Sequence, residues 1–104
     1  MRRAELLARV KQAIHAVEPE AEIRLYGSRA RGDAQTESDW DFLILLNGSV
    51  DDERTDRIRH RLYELEWDSG EVLSAIVRSH EVWDSPLYQV TPFVQNVQAH
   101  GVVV

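Results

Sequence analysis

Residues 22–46 read EIRLYGSRARGDAQTESDWDFLILL, and this stretch decides the fold. At its start, Ile23 and Leu25 alternate with more polar neighbours, which is typical of a short β-strand over residues 22–26. Residues 40–46 form the most apolar run of the chain, short and unbroken, which indicates a central strand buried on both faces. The polar residues 33–38 between the two strands predict a loop.

Apolar residues at helical spacing before and after this stretch predict helices that pack against the strands. The other predicted elements are a helix over 4–17, a helix over 51–65, a strand over 71–77, and a last helix over 92–100 that Thr91 caps and Gly101 closes. Residues 79–90 are expected to be irregular or briefly helical, and residues 102–104 to form a stub. This order of elements predicts a small mixed α/β domain, with helices packed on a sheet.

Length and composition narrow the class of protein. The chain has 104 residues and a mass of 12.0 kDa, which predicts a single domain over residues 1–104. It has no cysteine, which excludes disulfide scaffolds, thiolate zinc sites and thiol nucleophiles. A net charge of −6 argues against nucleic acid as the main partner. There is no apolar run long enough to span a membrane and no secretion signal, so we expect a cytoplasmic protein without a membrane partner.

The chemistry of the chain is concentrated where the first predicted strand ends. Gly27-Ser28 follows this strand at once, and a glycine lets a phosphate approach the backbone closely because it has no Cβ. The amides at the start of the next turn and the Ser28 hydroxyl are donors for phosphate oxygens. Arg29 and Arg31 stand beside this turn and are suited to forked contacts with a polyphosphate. Together these residues predict a polyphosphate site.

Two carboxylates stand at the start of the second predicted strand. Asp39 and Asp41 are two positions apart, so a strand places both side chains on one face. Like charges held side by side repel unless protons or cations neutralise them, and Mg²⁺ takes one or two protein carboxylates together with substrate phosphate. The pattern predicts in-line attack on phosphorus, with Mg²⁺ bridging the phosphates to the two acids.

At these residues the sequence resembles a known superfamily. Gly27-Ser28, ten intervening residues and then Asp39-x-Asp41 are similar to the signature of the DNA-polymerase-beta-like nucleotidyltransferases. The fuller run, with Ser38 before the acids, resembles that of the minimal nucleotidyltransferases. Many of those are the antitoxin half of HEPN/minimal-nucleotidyltransferase gene pairs. The resemblance implies a small polymerase-beta-like palm, in which helices pack on a short mixed sheet.

The resemblance also implies a donor, a metal and a role for each matching residue. ATP would be the donor, and Asp39 and Asp41 would be the catalytic residues that hold Mg²⁺. The residues that would bind the nucleotide are Gly27, Ser28, Arg29, Arg31 and Ser38. The superfamily has a third carboxylate on the later strand, placed to activate the acceptor hydroxyl. Its expected position here is near Ser74, which is not an acid, and Glu71 is the nearest acid in that strand.

Three functions are compatible with this pattern. The leading hypothesis is an enzyme that transfers AMP from ATP to a hydroxyl, by resemblance a tyrosine of a cognate HEPN-family toxin, and so acts as an antitoxin. The second is a catalytically decayed nucleotide- or partner-binding module that neutralises its partner by contact, because a missing general base costs roughly 10²–10⁴ in rate. An RNA- or antibiotic-modifying transferase is disfavoured, because the chain is acidic and shows no extra substrate-binding domain.

Three arginines of the second predicted helix share one helical face. They are Arg54, Arg57 and Arg61. A solvated face, neutralised by Glu53 and Asp56, is favoured over a docking stripe for a partner or for RNA.

Overall fold

The computed structural model describes residues 1–35 and 37–104, so that Thr36, in the loop predicted over 33–38, lies outside the described residues. Six helices and four strands are formed by the described part of the chain. In chain order these are α1 (Arg3–His15), β1 (Glu22–Tyr26), α2 (Ser28–Arg31), β2 (Trp40–Leu46), α3 (Asp52–Ser69), β3 (Leu73–Ser79), α4 (His80–Asp84), α5 (Pro86–Gln89), α6 (Pro92–His100) and β4 (Val102–Val103). Within the described residues, no helix combines the length and the apolar character needed to cross a membrane.

The strands form one mixed sheet in the order β3-β2-β1-β4. β2 lies between two neighbours, antiparallel to β1 and parallel to β3, and β4 adds to the other edge of β1 in antiparallel orientation. In this register Asp41 of β2 lies opposite Tyr26 of β1 and Ser74 of β3. The mixed α/β fold predicted from the element order is confirmed, and so is the central place of the strand over residues 40–46.

Both faces of the sheet are covered, which explains why β2 is apolar and buried from Phe42 to Leu46. On one face, α1 and α3 pack on the sheet with a core that includes Trp40, Phe42 and Ile44. On the other face, Leu43 and Leu45 pack with side chains of α4 and α6. Asp41 alternates with its neighbours Trp40 and Phe42, so its carboxylate points to the face that carries α6.

Several predicted boundaries differ from those of the structure. The second long helix continues to Ser69, because Gly70 at φ 73° ends it, its amide bonded to the Glu66 carbonyl. β3 begins and ends two residues later than predicted, following its pairing with β2. The C-terminal stub is a short strand, whose neighbour Val104 donates its amide to the Ile23 carbonyl at 2.9 Å. Residues 80–84 and 86–89 form two short helices.

Arg54 does not lie on a solvated face as predicted, because it forms a half-buried ion pair. Its guanidinium donates to both carboxylate oxygens of Glu18, at 2.9 and 2.8 Å, and to the carbonyls of Asn47 and Ser49. Arg57 follows the prediction, with an exposed ion pair to Glu53 at 2.9 Å. Arg54 therefore ties the segment between α1 and β1 and the loop after β2 to the start of α3.

Protonation of Glu18 is expected to weaken this connection. Hydrogen bonding to Arg54 holds the pKa of Glu18 below its ordinary value of 4.5. An acid whose folded pKa is depressed adds stability above the unfolded pKa, and this is lost as pH falls through the folded value. We expect Glu18→Gln to lower the free energy of unfolding by about 1–3 kcal/mol at neutral pH. The difference from the original chain should shrink below pH 4.5.

Urea unfolding of both chains across this pH range measures the effect. Glu81→Gln, at an exposed glutamate in the first turn of α4, is the control and should lower the free energy of unfolding by less than Glu18→Gln does, about 0.3–1 kcal/mol at most. A Glu18→Gln deficit of the same size at every pH would contradict this account.

Candidate active site

The corner after β1 is built on Gly27, which only glycine fits. Its backbone has φ 74° and ψ −160°, a region that other residues enter at a cost. A Cβ at this position would collide with the Asp41 carboxylate oxygen Oδ2. The missing side chain thus lets the carboxylate lie directly against the backbone of the corner.

Ser28 begins the single turn of helix that follows this corner. The Gly27 carbonyl accepts the amides of Ala30 and Arg31, both at 3.1 Å, which closes the turn. Within residues 1–35 and 37–104 the Ser28 hydroxyl makes no hydrogen bond. Its predicted role in binding a phosphate stays a prediction, and the structure places it one residue from the glycine that contacts Asp41.

Asp39 and Asp41 lie together beside this corner. Burial raises the pKa of Asp41 above its ordinary value, the charge of Asp39 raises it further, and the Arg31 guanidinium opposes both. Neither carboxylate forms an ion pair with a residue that the structure describes. The two acids therefore carry mutual repulsion that a bound cation would relieve.

The chemistry of this donor set fits a divalent cation such as Mg²⁺. Two carboxylates on one face, with Gly27 leaving space beside them, match the one or two protein carboxylates that Mg²⁺ takes alongside substrate phosphates. Among the described residues there is no group of three or more histidine or acidic side chains that could hold a metal. A cation here would take its remaining oxygen atoms from water and from a bound phosphate.

Arg29 is directed to the opposite face of the sheet from Asp41. Its guanidinium lies 4.4 Å from the centre of the Trp40 ring and donates to the Ser38 carbonyl at 3.2 and 3.0 Å. It also lies 3.9 Å from Glu71. These contacts tie the residue before Asp39 to α2, so we infer that Arg29 positions the acidic pair. Its predicted contact with the nucleotide stays untested.

Arg31 and Ser38 lie towards the two ends of the loop between α2 and β2. The Ser38 hydroxyl accepts the Gln35 amide at 2.8 Å, which closes a turn of the loop. Arg31 is exposed and pairs with Asp33 at 3.3 Å, while its charge also acts on Asp41. Of the predicted site residues, Gly27, Arg31, Asp39 and Asp41 are thus brought together most directly.

Comparisons with known proteins identify the family of this chain. The family model described as a nucleotidyltransferase domain matches residues 5–96, which include the glycine corner and both acids. The chain belongs to the nucleotidyltransferase domain family. No curated protein matches this nucleotidyltransferase significantly.

The fold of this nucleotidyltransferase is similar to that of a chain in a solved structure. The chain superposes with a TM-score of 0.65 at 15% identity, covering 92% of this chain and 69% of the other. That structure is described as "Crystal structure of the toxin-antitoxin with AMP-PNP". At this identity the likeness is one of fold alone. The mixed sheet with packed helices and the match to the nucleotidyltransferase domain model are consistent with the small polymerase-beta-like fold that the sequence motif implies.

The nucleotidyltransferase has a serine beside Asp41 on the neighbouring strand. Ser74 pairs with Asp41 across β2 and β3, as predicted for the third position. Glu71 does not take its place, because its carboxylate accepts the Trp40 indole N–H at 3.0 Å on the opposite face. No third acid therefore joins Asp39 and Asp41 among the described residues.

Sequence reasoning missed the residues that cover the corner from the side of β1. Tyr26 lies opposite Asp41 and packs edge-on against Phe93 of α6, with ring centres 5.2 Å apart. Burial raises the pKa of Tyr26, and the charge of Asp41 adds to this. In the sequence, the only indication was the helical spacing of α6, which shows which of its residues share a face. That this face lies over the corner depends on tertiary packing.

Proposed function

We propose that residues 1–104 form one nucleotidyltransferase domain that transfers AMP from ATP to a hydroxyl of a partner protein. The observation that carries this proposal is the Asp41 carboxylate, which lies against Gly27 and whose pKa is raised by burial and by the charge of the nearby Asp39. The neighbour of similar fold, described as a toxin-antitoxin with AMP-PNP, supports a nucleotide and a partner protein. The partner is then a HEPN-family toxin modified on a tyrosine, and this chain is its antitoxin.

The proposed reaction forms one phosphorus–oxygen bond and breaks another. The acceptor hydroxyl oxygen attacks the α-phosphorus of ATP, its proton passes to water, and pyrophosphate leaves with the electron pair of the broken bond. Mg²⁺, when bound by Asp39 and Asp41, neutralises charge that develops on the phosphate oxygens. Ser28 and the adjoining amides orient the phosphates, and Arg29 keeps the acidic pair in place through Ser38.

Mass spectrometry of the co-expressed partner tests the reaction. The intact partner is incubated with this protein, Mg²⁺ and each nucleoside triphosphate in turn. We expect one added AMP on a tyrosine with ATP, and no adduct with the other nucleoside triphosphates. If the complex forms but the partner carries no adduct with any nucleotide, the transfer reaction is contradicted.

A second candidate function is supported by Ser74. A serine where the superfamily has an acid leaves the acceptor hydroxyl without a general base from this chain, which costs roughly 10²–10⁴ in rate. The protein would then neutralise its partner by contact alone. If a variant in which both Asp39 and Asp41 are replaced by asparagine still neutralises the partner fully, contact alone is favoured over transfer.

A further inference from the structure

A cavity lies between the end of β1 and α6, beside the glycine corner. Its volume is about 170 Å³. The residues that line it are Tyr26, Gly27, Arg31, Phe93, Asn96 and His100. The three from α6 follow each other at intervals of three and four, so they share one face of that helix.

The lining of this cavity suits an anion. None of the six lining residues is acidic, although the chain has 18 aspartates and glutamates among 104 residues. Arg31 carries a fixed positive charge, part of which is neutralised by its exposed ion pair with Asp33 at 3.3 Å, and Asn96 and His100 offer amide and ring N–H donors. The volume is well below the roughly 300–1,000 Å³ of whole-ligand pockets, so the cavity accommodates only part of a ligand.

The strand order shows which part of a nucleotide would reach this cavity. Asp41 lies between Ser74 on one side and Tyr26 with the cavity on the other. In-line displacement places the attacking and leaving oxygens on opposite sides of the phosphorus. Gly27 and Arg31, which belong to the proposed phosphate site, also line the cavity. If the acceptor approaches from the Ser74 side, where the resemblance places the group that activates it, the leaving pyrophosphate lies on the side of β1 and α6.

We propose that Asn96 and His100 of α6, together with Arg31, bind the β- and γ-phosphates of the nucleoside triphosphate and the pyrophosphate released from it. This inference rests on the proposed function, because it requires that the chain bind a nucleoside triphosphate at Gly27 and Asp41. It assigns α6 a direct part in distinguishing a triphosphate from a monophosphate.

Isothermal titration calorimetry of an Asn96→Ala/His100→Ala variant tests the assignment. Both side chains are exposed and make no hydrogen bond within the described residues apart from the backbone of α6, so the fold should persist. The probes are ATP, inorganic pyrophosphate and AMP, each with Mg²⁺. We expect about tenfold or greater loss of affinity for ATP and pyrophosphate, because each lost contact is a hydrogen bond to a charged group, and unchanged affinity for AMP.

Gln95→Ala provides the matched control on the same helix. Gln95 is exposed and outside the cavity, so its variant should bind all three probes like the original chain. If the original chain binds ATP and the double variant binds it equally well, the inference is wrong while the proposed function stands. Equal losses for AMP and ATP would also overturn it, since the cavity would then hold the nucleoside. An original chain that binds no ATP contradicts the proposed function and the inference together.

Discussion

Replacing Asp39 and Asp41 together by asparagine is expected to abolish AMP transfer while leaving the fold intact. Asparagine keeps the shape of each side chain and removes the negative charge that attracts a divalent cation. Several kcal/mol of charge stabilisation would be lost, and each 1.4 kcal/mol is tenfold, so the rate should fall by about a thousandfold or more. The rate of pyrophosphate release with ATP and the purified partner measures this effect.

The same variant is expected to be slightly more stable than the original chain in the absence of ligand. The pKa of Asp41 is raised in the folded state, so the unfolded chain loses this proton first and stability falls as pH rises through that range. Asparagine removes this penalty. Thermal unfolding with and without Mg-ATP should therefore show a higher starting midpoint for the variant and no increase on adding the ligand.

Asp56→Asn is the matched control for this experiment. Asp56 is an exposed acid of α3, on the helix that packs against the other face of the sheet. Its variant should keep both the rate and the stabilisation by Mg-ATP. Persistence of the full Mg-ATP stabilisation in the Asp39→Asn/Asp41→Asn variant would show that the two acids hold no cation beside the nucleotide.

Gly27→Ala is expected to have the second-largest effect, through the geometry of the corner. The backbone at φ 74° and ψ −160° costs a residue with a Cβ about 1–3 kcal/mol. The added methyl group must in addition displace the Asp41 carboxylate. We expect a lower melting temperature and loss of the stabilisation by Mg-ATP, both measured in one set of thermal scans.

Gly70→Ala separates the backbone effect from the displacement of Asp41. Gly70 also has a positive φ, 73°, but a Cβ there would meet no atom within 4 Å. Its variant should lose stability, by about 1–2 kcal/mol for a Cβ in the left-handed region, and retain its response to Mg-ATP. If Gly27→Ala behaves like Gly70→Ala in both respects, the contact between the corner and Asp41 is unimportant for the site.

The two strands that carry the site were predictable because their signals are local. Residues 22–26 and 40–46 have the predicted bounds, since alternation, a continuous apolar run and the glycines nearby fix where each strand begins and ends. The end of α3 was harder to predict from the sequence. Asp68, Ser69 and Gly70 are typical turn residues, yet the first two remain helical and only Gly70 leaves the helix.

The partners of individual side chains could not be predicted from spacing. Arg54 was interpreted as part of a solvated face, but Glu18, 36 residues away, draws it into a half-buried pair. Glu71 was considered as a substitute for the third acid, and the indole N–H of Trp40 holds it on the other face of the sheet. In each case the deciding neighbour comes from a distant part of the chain.

By itself the sequence determined the class of fold and the motif that binds phosphate and metal in the superfamily, because both depend on residues that are close along the chain. Only the tertiary structure decided that Asp41 lies against Gly27, that Ser74 is its neighbour on β3, and that α6 covers the corner. These relations depend on strand register and on helix packing, which arise when distant segments bury a common apolar surface.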